Sequence, residues 1–217
     1  MKGLLIKDFM LMKNMKNSML MIMVIAVGMA GYLKDLTFIM VYLAFLGTTY
    51  TSTTISYDEF DNGYSFMFSL PVTRKGYVLE KYAFGLILSG GGWLIGAILA
   101  TIMGRIRNVG SVTDSVMAAL IIMPIPIILL AIMLPFHLKY GGEKGRIVMI
   151  CVVGGLMLAG VLGTKLAERL HINFDVIMEN LSELNAGAVM AGAMGIGMVL
   201  LVISCNISIA IMKKKEY

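Results

Sequence analysis

Six apolar stretches alternate along this chain with short charged segments: Ser18–Leu33, Phe38–Ile55, Tyr82–Met103, Ser115–Leu138, Ile147–Gly163 and Ala188–Met212. An α-helix rises about 1.5 Å per residue, so roughly 20 residues cross the hydrocarbon core of a bilayer. The pattern predicts an all-α membrane protein, with six transmembrane helices forming a single domain over residues 1–217. The first and fifth stretches are short by that measure. Lys16 and Lys165 at their flanks could snorkel, or each helix could run a turn past its apolar limit.

Composition leaves little sequence for a soluble domain. Of 217 residues, 59% are hydrophobic and 14% charged, and the mean hydropathy is +0.86. No small-residue cleavage site follows the first stretch convincingly, so it reads as a retained anchor. Cys151 and Cys205 both fall inside apolar stretches, which argues against a disulfide framework. Lysine and arginine are unevenly distributed. Thirteen fall on the side holding the N-terminal arm, the loops 56–81 and 139–146, and the C-terminal tail; five (Lys34, Arg105, Arg107, Lys165, Arg169) fall on the other. The positive-inside rule puts the first side, with both termini, in the cytoplasm. The net charge of +5 then reflects topology, and there is no basic surface for a nucleic acid. The 21 methionines either fill gaps between helices or make a pliable surface for varied amphipathic cargo.

Residues 1–17 read as a separate element. On a helical wheel Leu4, Leu5, Phe9, Leu11, Met12 and Met15 share a broad face, with Lys2, Lys7, Lys13, Asn14 and Asn17 opposite. Asp8 and Lys16 fall within the apolar arc, and Ile6 and Met10 outside it. This predicts an amphipathic helix in the membrane interface; a basic flank that merely sets topology is the alternative. Residues 56–81, SYDEFDNGYSFMFSLPVTRKGYVLEK, predict a charged, aromatic cytoplasmic loop built as a short helix, a turn at Gly63 and a second helix start. Pro71 disfavours helix at Leu70, and Thr73 is placed to N-cap a helix running into the third span. Tyr64, Phe66 and Phe68 could lie in the headgroup layer as a belt. Alternatively they anchor a coupling element in a groove on a partner, with Asp58, Glu59, Arg74 and Lys75 supplying steering and register.

The segments Glu59–Asp61, LPVTRKGYV at 70–78 and Lys81–Tyr82, with the opening Met1–Phe9, resemble the permease subunits of type-2 ABC transporters. More narrowly they are similar to small permeases of Gram-positive bacteria that include the phenol-soluble modulin exporter and bacitracin- or lantibiotic-type efflux systems. The resemblance implies a homo- or heterodimer of permeases in the bacterial cell membrane. Each copy would bind a cytoplasmic ABC ATPase subunit, which carries the ATP and Mg. It implies coupling through Asp58, Glu59, Arg74, Lys75 and Tyr77, with Glu143 in the loop 139–146 as a second contact. The implied activity is alternating access that moves hydrophobic or amphipathic substrates, such as cytolytic or antimicrobial peptides, outward.

No catalytic motif accompanies these features. G-x-x-x-x-G-K-[ST] does not occur, and GGEKGR at 141–146 lacks its spacing. His137 reads as an interfacial residue, and it and His171 lack metal-ligand spacing. No predicted span has an Asp or Glu near its middle, which argues against a proton-coupled carrier. In the second span Thr48, Thr51 and Ser52 could line a substrate path, or their hydroxyls could bond back to helix carbonyls. Asn206 is open to the same two readings, a path residue or an interhelical bond. Gly92/Gly96, Ala188/Gly192 and Ala191/Gly195 suit close helix packing. Pro124, Pro126 and Pro135 predict a break or kink in the fourth span. Residues 174–184 predict a short helix within an external segment, 164–187, either capping an exit or resting on the membrane. A non-transporting immunity or scaffold protein that binds such peptides is the competing function.

Overall fold

The computed structural model describes residues 2–60, 63–108, 111–141 and 186–215, with scattered positions between 144 and 158. The predicted fifth span (147–163) and external segment (164–187) lie almost wholly outside the described residues, and Glu143 and His171 lie outside them too. Every described element is an α-helix: α1 (Lys2–Asn14), α2 (Lys16–Tyr32), α3 (Thr37–Glu59), α4 (Gly63–Ser69), α5 (Arg74–Ile106), α6 (Val112–Ile122), α7 (Pro124–Tyr140) and α8 (Ala186–Lys214). By length and composition four of these can cross a membrane: α3, α5, α6 with α7 as one 29-residue helix, and Met190–Lys214 of α8. The pair α1–α2 passes the same test together but is bent by 68°.

Local chemistry sets several of these boundaries. Thr73 N-caps α5 as predicted: its backbone is extended (φ −84°, ψ 143°) and its hydroxyl accepts from Gly76 N at 3.0 Å. The resulting helix has 33 residues and begins eight positions before the predicted third span, so Tyr77, Glu80 and Lys81 are helical. Ser111 and Asp114 form a reciprocal capping box that starts α6. Asp35 accepts from the hydroxyl and amide of Thr37 just ahead of α3. Those two bonds, the hydroxyl's first, hold its carboxyl below the usual range. The fourth span breaks where its prolines begin. Pro124 and Pro126 offer no N–H to the preceding turn, and the Met123 amide is shared between the Ala119 and Leu120 carbonyls, at 3.1 and 3.3 Å. Met123 keeps helical dihedrals (φ −50°, ψ −35°), so the ladder is interrupted without a reversal of the chain.

In a bilayer, lipid is as apolar as a leucine side chain, so helices associate through close contact rather than water exclusion. The tightest seam joins α3 to α5. A Cβ built on Gly92 would fall 2.4 Å from the Leu43 carbonyl oxygen, one on Gly96 2.7 Å from the Met40 Cα, and one on Gly47 2.5 Å from the Leu88 carbonyl oxygen. The predicted small-residue pair Gly92/Gly96 is therefore an intrasubunit contact. Gly192 and Gly195 meet no described residue. Buried apolar side chains gather at the two ends of the bundle. Leu4, Ile55, Tyr77, Leu134 and Met212 belong to one cluster. Ala26, Ile39, Met40, Leu43 and Ile122 belong to the other. At the first end His137, in the last turn of α7, is buried.

The two ends of α5 are fastened by arginines. Arg107 donates to the carbonyls of Ala30 (2.9 Å) and Leu33 at the end of α2. Arg74 donates to the carbonyls of Met212 (2.8 Å), Lys213 (3.0 Å) and Lys215 at the end of α8. Each places a permanent cation against the partially negative, unsatisfied carbonyl end of a neighbouring helix.

Candidate functional site

Helix α1 packs on the bundle through Leu4, Asp8 and Met12, a stripe with one residue per turn. The apolar face expected from the sequence was broader, and Asp8 stood out as an irregularity in it. Phe9 and Met10 are exposed, and Asp8 sits at the centre of the contact with no exposure at all. The reason is its partner. Lys81, fully buried on α5, forms an ion pair with Asp8 Oδ2 and a second with Asp58 Oδ2 on α3 at 2.8 Å. Its ammonium also donates to Thr54 Oγ1 at 3.0 Å. Lys7 reaches over the layer to Asp58, and lies 3.2 Å from Asp8 Oδ1. The Tyr77 hydroxyl donates to Asp58 Oδ2 at 3.1 Å and lies 3.4 Å from the Tyr64 hydroxyl. One buried ionic layer thus ties the first helix, the end of α3, and the start of α5, with α4 joined through Tyr64.

Glu80, 1% exposed, completes the layer without being satisfied by it. Neither of its carboxylate oxygens has a hydrogen-bond partner among the described residues, and Lys81 Nζ is 4.0 Å away. Three carboxylates therefore face two ammonium groups. They sit at the loop end of the bundle, near the head of α5 rather than at the middle of a span. Charges this deeply buried persist only when paired. The layer thus joins three helices through paired charges. It does not present a nucleophile with a base to an open cleft. No group of three His, Cys, Asp or Glu side chains among the described residues could hold a metal ion.

The sequence-predicted coupling residues divide into three groups. Asp58 and Tyr77 are buried in the layer. Glu59 and Arg74 lie at the rim. Glu59 pairs with Lys215 at 3.2 Å, and its carboxylate packs against the backbone of Gly141, where a side chain would collide with it. Gly141 ends α7 at φ 80°, a conformation glycine adopts freely. Lys75 is exposed. The aromatic residues of the loop also split. Residues 63–69 form α4, a short helix that begins at Gly63, and a helix puts positions four apart on one face. Tyr64 and Phe68 therefore face inward. They stack at 6.1 Å and meet Tyr77 edge-on at 5.7 and 6.0 Å. Phe66 faces out, 72% exposed, with Tyr57, Phe60 and Leu70 also exposed around it. A groove of about 640 Å³ runs between this rim and α1, bounded by Gly3, Lys7, Tyr57, Phe66 and Pro71.

The candidate path residues are differently placed. Thr48, Thr51 and Ser52 are buried, and their hydroxyls donate back to the carbonyls of Ala44 (3.2 Å), Gly47 (3.2 Å) and Thr48 (3.4 Å). Asn206 is exposed and donates to the Val202 carbonyl at 3.0 Å. Polar contacts across helices are instead made by Tyr82, whose hydroxyl meets Ser204 (2.6 Å) and Ser208 (2.9 Å) on α8. Sequence reasoning missed Lys7, Asp8, Glu80 and Lys81. The one local signal was an acid inside the apolar arc of α1.

A family model described as ABC-2 family transporter protein matches residues 3–213. No curated protein and no solved structure matches the chain. A bundle whose described elements are all helices, several of membrane-spanning length, is consistent with that match. The chain belongs to the ABC-2 transporter family: it is a multi-pass protein of the bacterial cell membrane and a permease subunit of an ABC system.

Proposed function

We propose that this permease is the membrane half of an ATP-driven exporter for hydrophobic or amphipathic substrates, peptides of the cytolytic or antimicrobial class among them. It has six spans with both termini in the cytoplasm, and it works as a homo- or heterodimer with a second permease. A cytoplasmic ABC ATPase, which holds the ATP and Mg, docks on the surface formed by 56–81, and Glu143 provides a second contact. The finer likeness to the modulin and bacitracin-type exporters belongs to this proposal.

The observation that carries it is the pairing of an exposed aromatic rim with a buried ionic junction directly beneath. Tyr57, Phe60, Phe66 and Leu70 offer anchors of the kind that dominate protein interfaces. Asp58, Lys81 and Asp8 then link that rim to three helices through paired charges. A push on the rim is passed to α1, α3 and α5 together, because separating any one of them would leave a buried charge unpaired. Peptide cargo rests on family resemblance, assisted by the 21 methionines.

The test is reconstitution with the ATPase subunit. The wild-type permease is expected to bind it and to change its ATP turnover, and vesicles carrying both to move an amphipathic peptide. Phe60→Asp with Phe66→Asp should abolish that binding while leaving the permease's own melting temperature in place. A permease that protects cells from the peptide without binding any ATPase would favour the immunity or scaffold function instead.

A further inference from the structure

We infer that the elbow between α1 and α2 is a binding site for a single anionic phospholipid, one acyl chain lying in the groove between α2, α3 and α5. The groove has a volume of about 290 Å³, at the small end for ligand sites and suited to one chain rather than a whole lipid. Its lining is apolar, and includes Met12, Met19, Leu43, Ile87, Gly91 and Ile95. From Ile87 to Ile95 it follows α5 for roughly 12 Å, running from the elbow toward the middle of the bundle. Ile87 and Ile95 are exposed on the outer surface of that helix, so the groove opens where lipid chains lie.

Charge decides the headgroup. The elbow holds Lys13 and Lys16, both exposed, one beside groove-lining Met12 and the other one turn before groove-lining Met19. No Asp or Glu occurs from Phe9 to Lys34, and the acid nearest the elbow in sequence, Asp8, is buried in its ion pairs. At the elbow, Ser18 and Tyr50 share a hydroxyl hydrogen bond at 2.9 Å, so the polar groups of the groove lie toward the end where a headgroup sits. Basic pockets between spans, at the depth of the headgroups, recognise anionic lipids in this way. Three glycines line the groove, Gly47, Gly91 and Gly92. A Cβ on neighbouring Gly92 would strike the backbone of α3, whereas one on Gly91 meets no described residue. Gly91 thus leaves groove space that a larger residue would fill.

The site requires only membrane embedding, so its test needs no ATPase and no cargo. The full-length permease is loaded with phosphatidylglycerol or phosphatidylcholine of matched chains, and lipid retention is read by native mass spectrometry. The wild type is expected to keep one phosphatidylglycerol in preference to phosphatidylcholine. Lys13→Gln with Lys16→Gln should weaken phosphatidylglycerol about 25-fold, at about fivefold per lysine, and leave phosphatidylcholine unchanged. Gly91→Leu should weaken both lipids, by about fourfold for each methylene displaced. Leucine is a better helix former than glycine, so this variant should melt no lower than wild type. Gly90→Leu, whose Cβ likewise meets no described residue and which does not line the groove, should retain lipid as wild type does. Equal retention of the two lipids by the wild type, or undiminished phosphatidylglycerol on Gly91→Leu, overturns the site.

Discussion

Replacing Lys81 with methionine tests the ionic layer directly. Methionine preserves most of the side chain's volume and removes its charge. In the wild type the ammonium pairs with Asp8 and with Asp58 (2.8 Å) and donates to Thr54 (3.0 Å). Without it, Asp8, Asp58 and Glu80 remain buried with Lys7 as their only neighbouring ammonium among the described residues. Removing one partner of a buried ion pair costs about 3–5 kcal/mol, because the other charge is left in a medium that cannot solvate it. For a protein of this length each kcal/mol moves the melting temperature by about 2–4 °C. Lys81→Met should therefore melt on the order of 12 °C below wild type in detergent. Adding Asp8→Asn removes the stranded partner and should recover roughly 2 kcal/mol, a non-additivity expected of contacting residues. A single variant that melts within about 3 °C of wild type, or a double variant whose losses simply add, would show that the layer does not hold these helices together.

Four further outcomes follow from the same contacts. Glu80→Gln should be tolerated, changing stability by no more than about 1 kcal/mol in a melting experiment, since among the described residues no ammonium lies within hydrogen-bond distance of its carboxyl and glutamine keeps its shape. Gly92→Leu should abolish folding or insertion, because its Cβ would meet the α3 backbone at 2.4 Å, while Gly90→Leu should accumulate normally in membranes. Arg107→Ala should destabilise by about 1.5–3 kcal/mol through the loss of its bonds to the end of α2, read as a lowered melting temperature. Arg74→Ala should leave the spans intact but expose the tail at Lys213–Lys215 to trypsin, since its guanidinium holds the last carbonyls of α8.

What could be read from the sequence is what local chemistry decides. Thr73 signals its helix start because an extended hydroxyl residue four positions before an apolar run satisfies a free amide. Pro124 and Pro126 signal the break in the fourth span because each removes a donor whatever surrounds it, whereas α7 runs on unbroken through Pro135. Gly92 and Gly96 signal close packing because four-residue spacing stacks them on one face. The ionic layer could not be read in the same way. Asp8 and Lys81 are 73 residues apart, and neither side chain by itself distinguishes a buried pair from a solvated one. Hydropathy placed the head of the third span at Tyr82, which put Glu80 and Lys81 on the helix from Thr73 but outside the membrane-spanning part. The α5 helix carries them into the bundle instead. The loop's aromatics were visible as a group, but which of them face outward depended on α4 being a helix and turning Tyr64 and Phe68 inward.

The most direct test of an ATPase-coupled permease is the accessibility of position 65, exposed on α4 beside Phe66. In a chain with Cys151 and Cys205 replaced by alanine, Ser65→Cys should react with a membrane-impermeant maleimide only in inside-out vesicles. Bound ATPase subunit should protect it. Labelling of Ser65→Cys in intact cells would place this surface outside and contradict the coupling of the permease to a cytoplasmic ATPase.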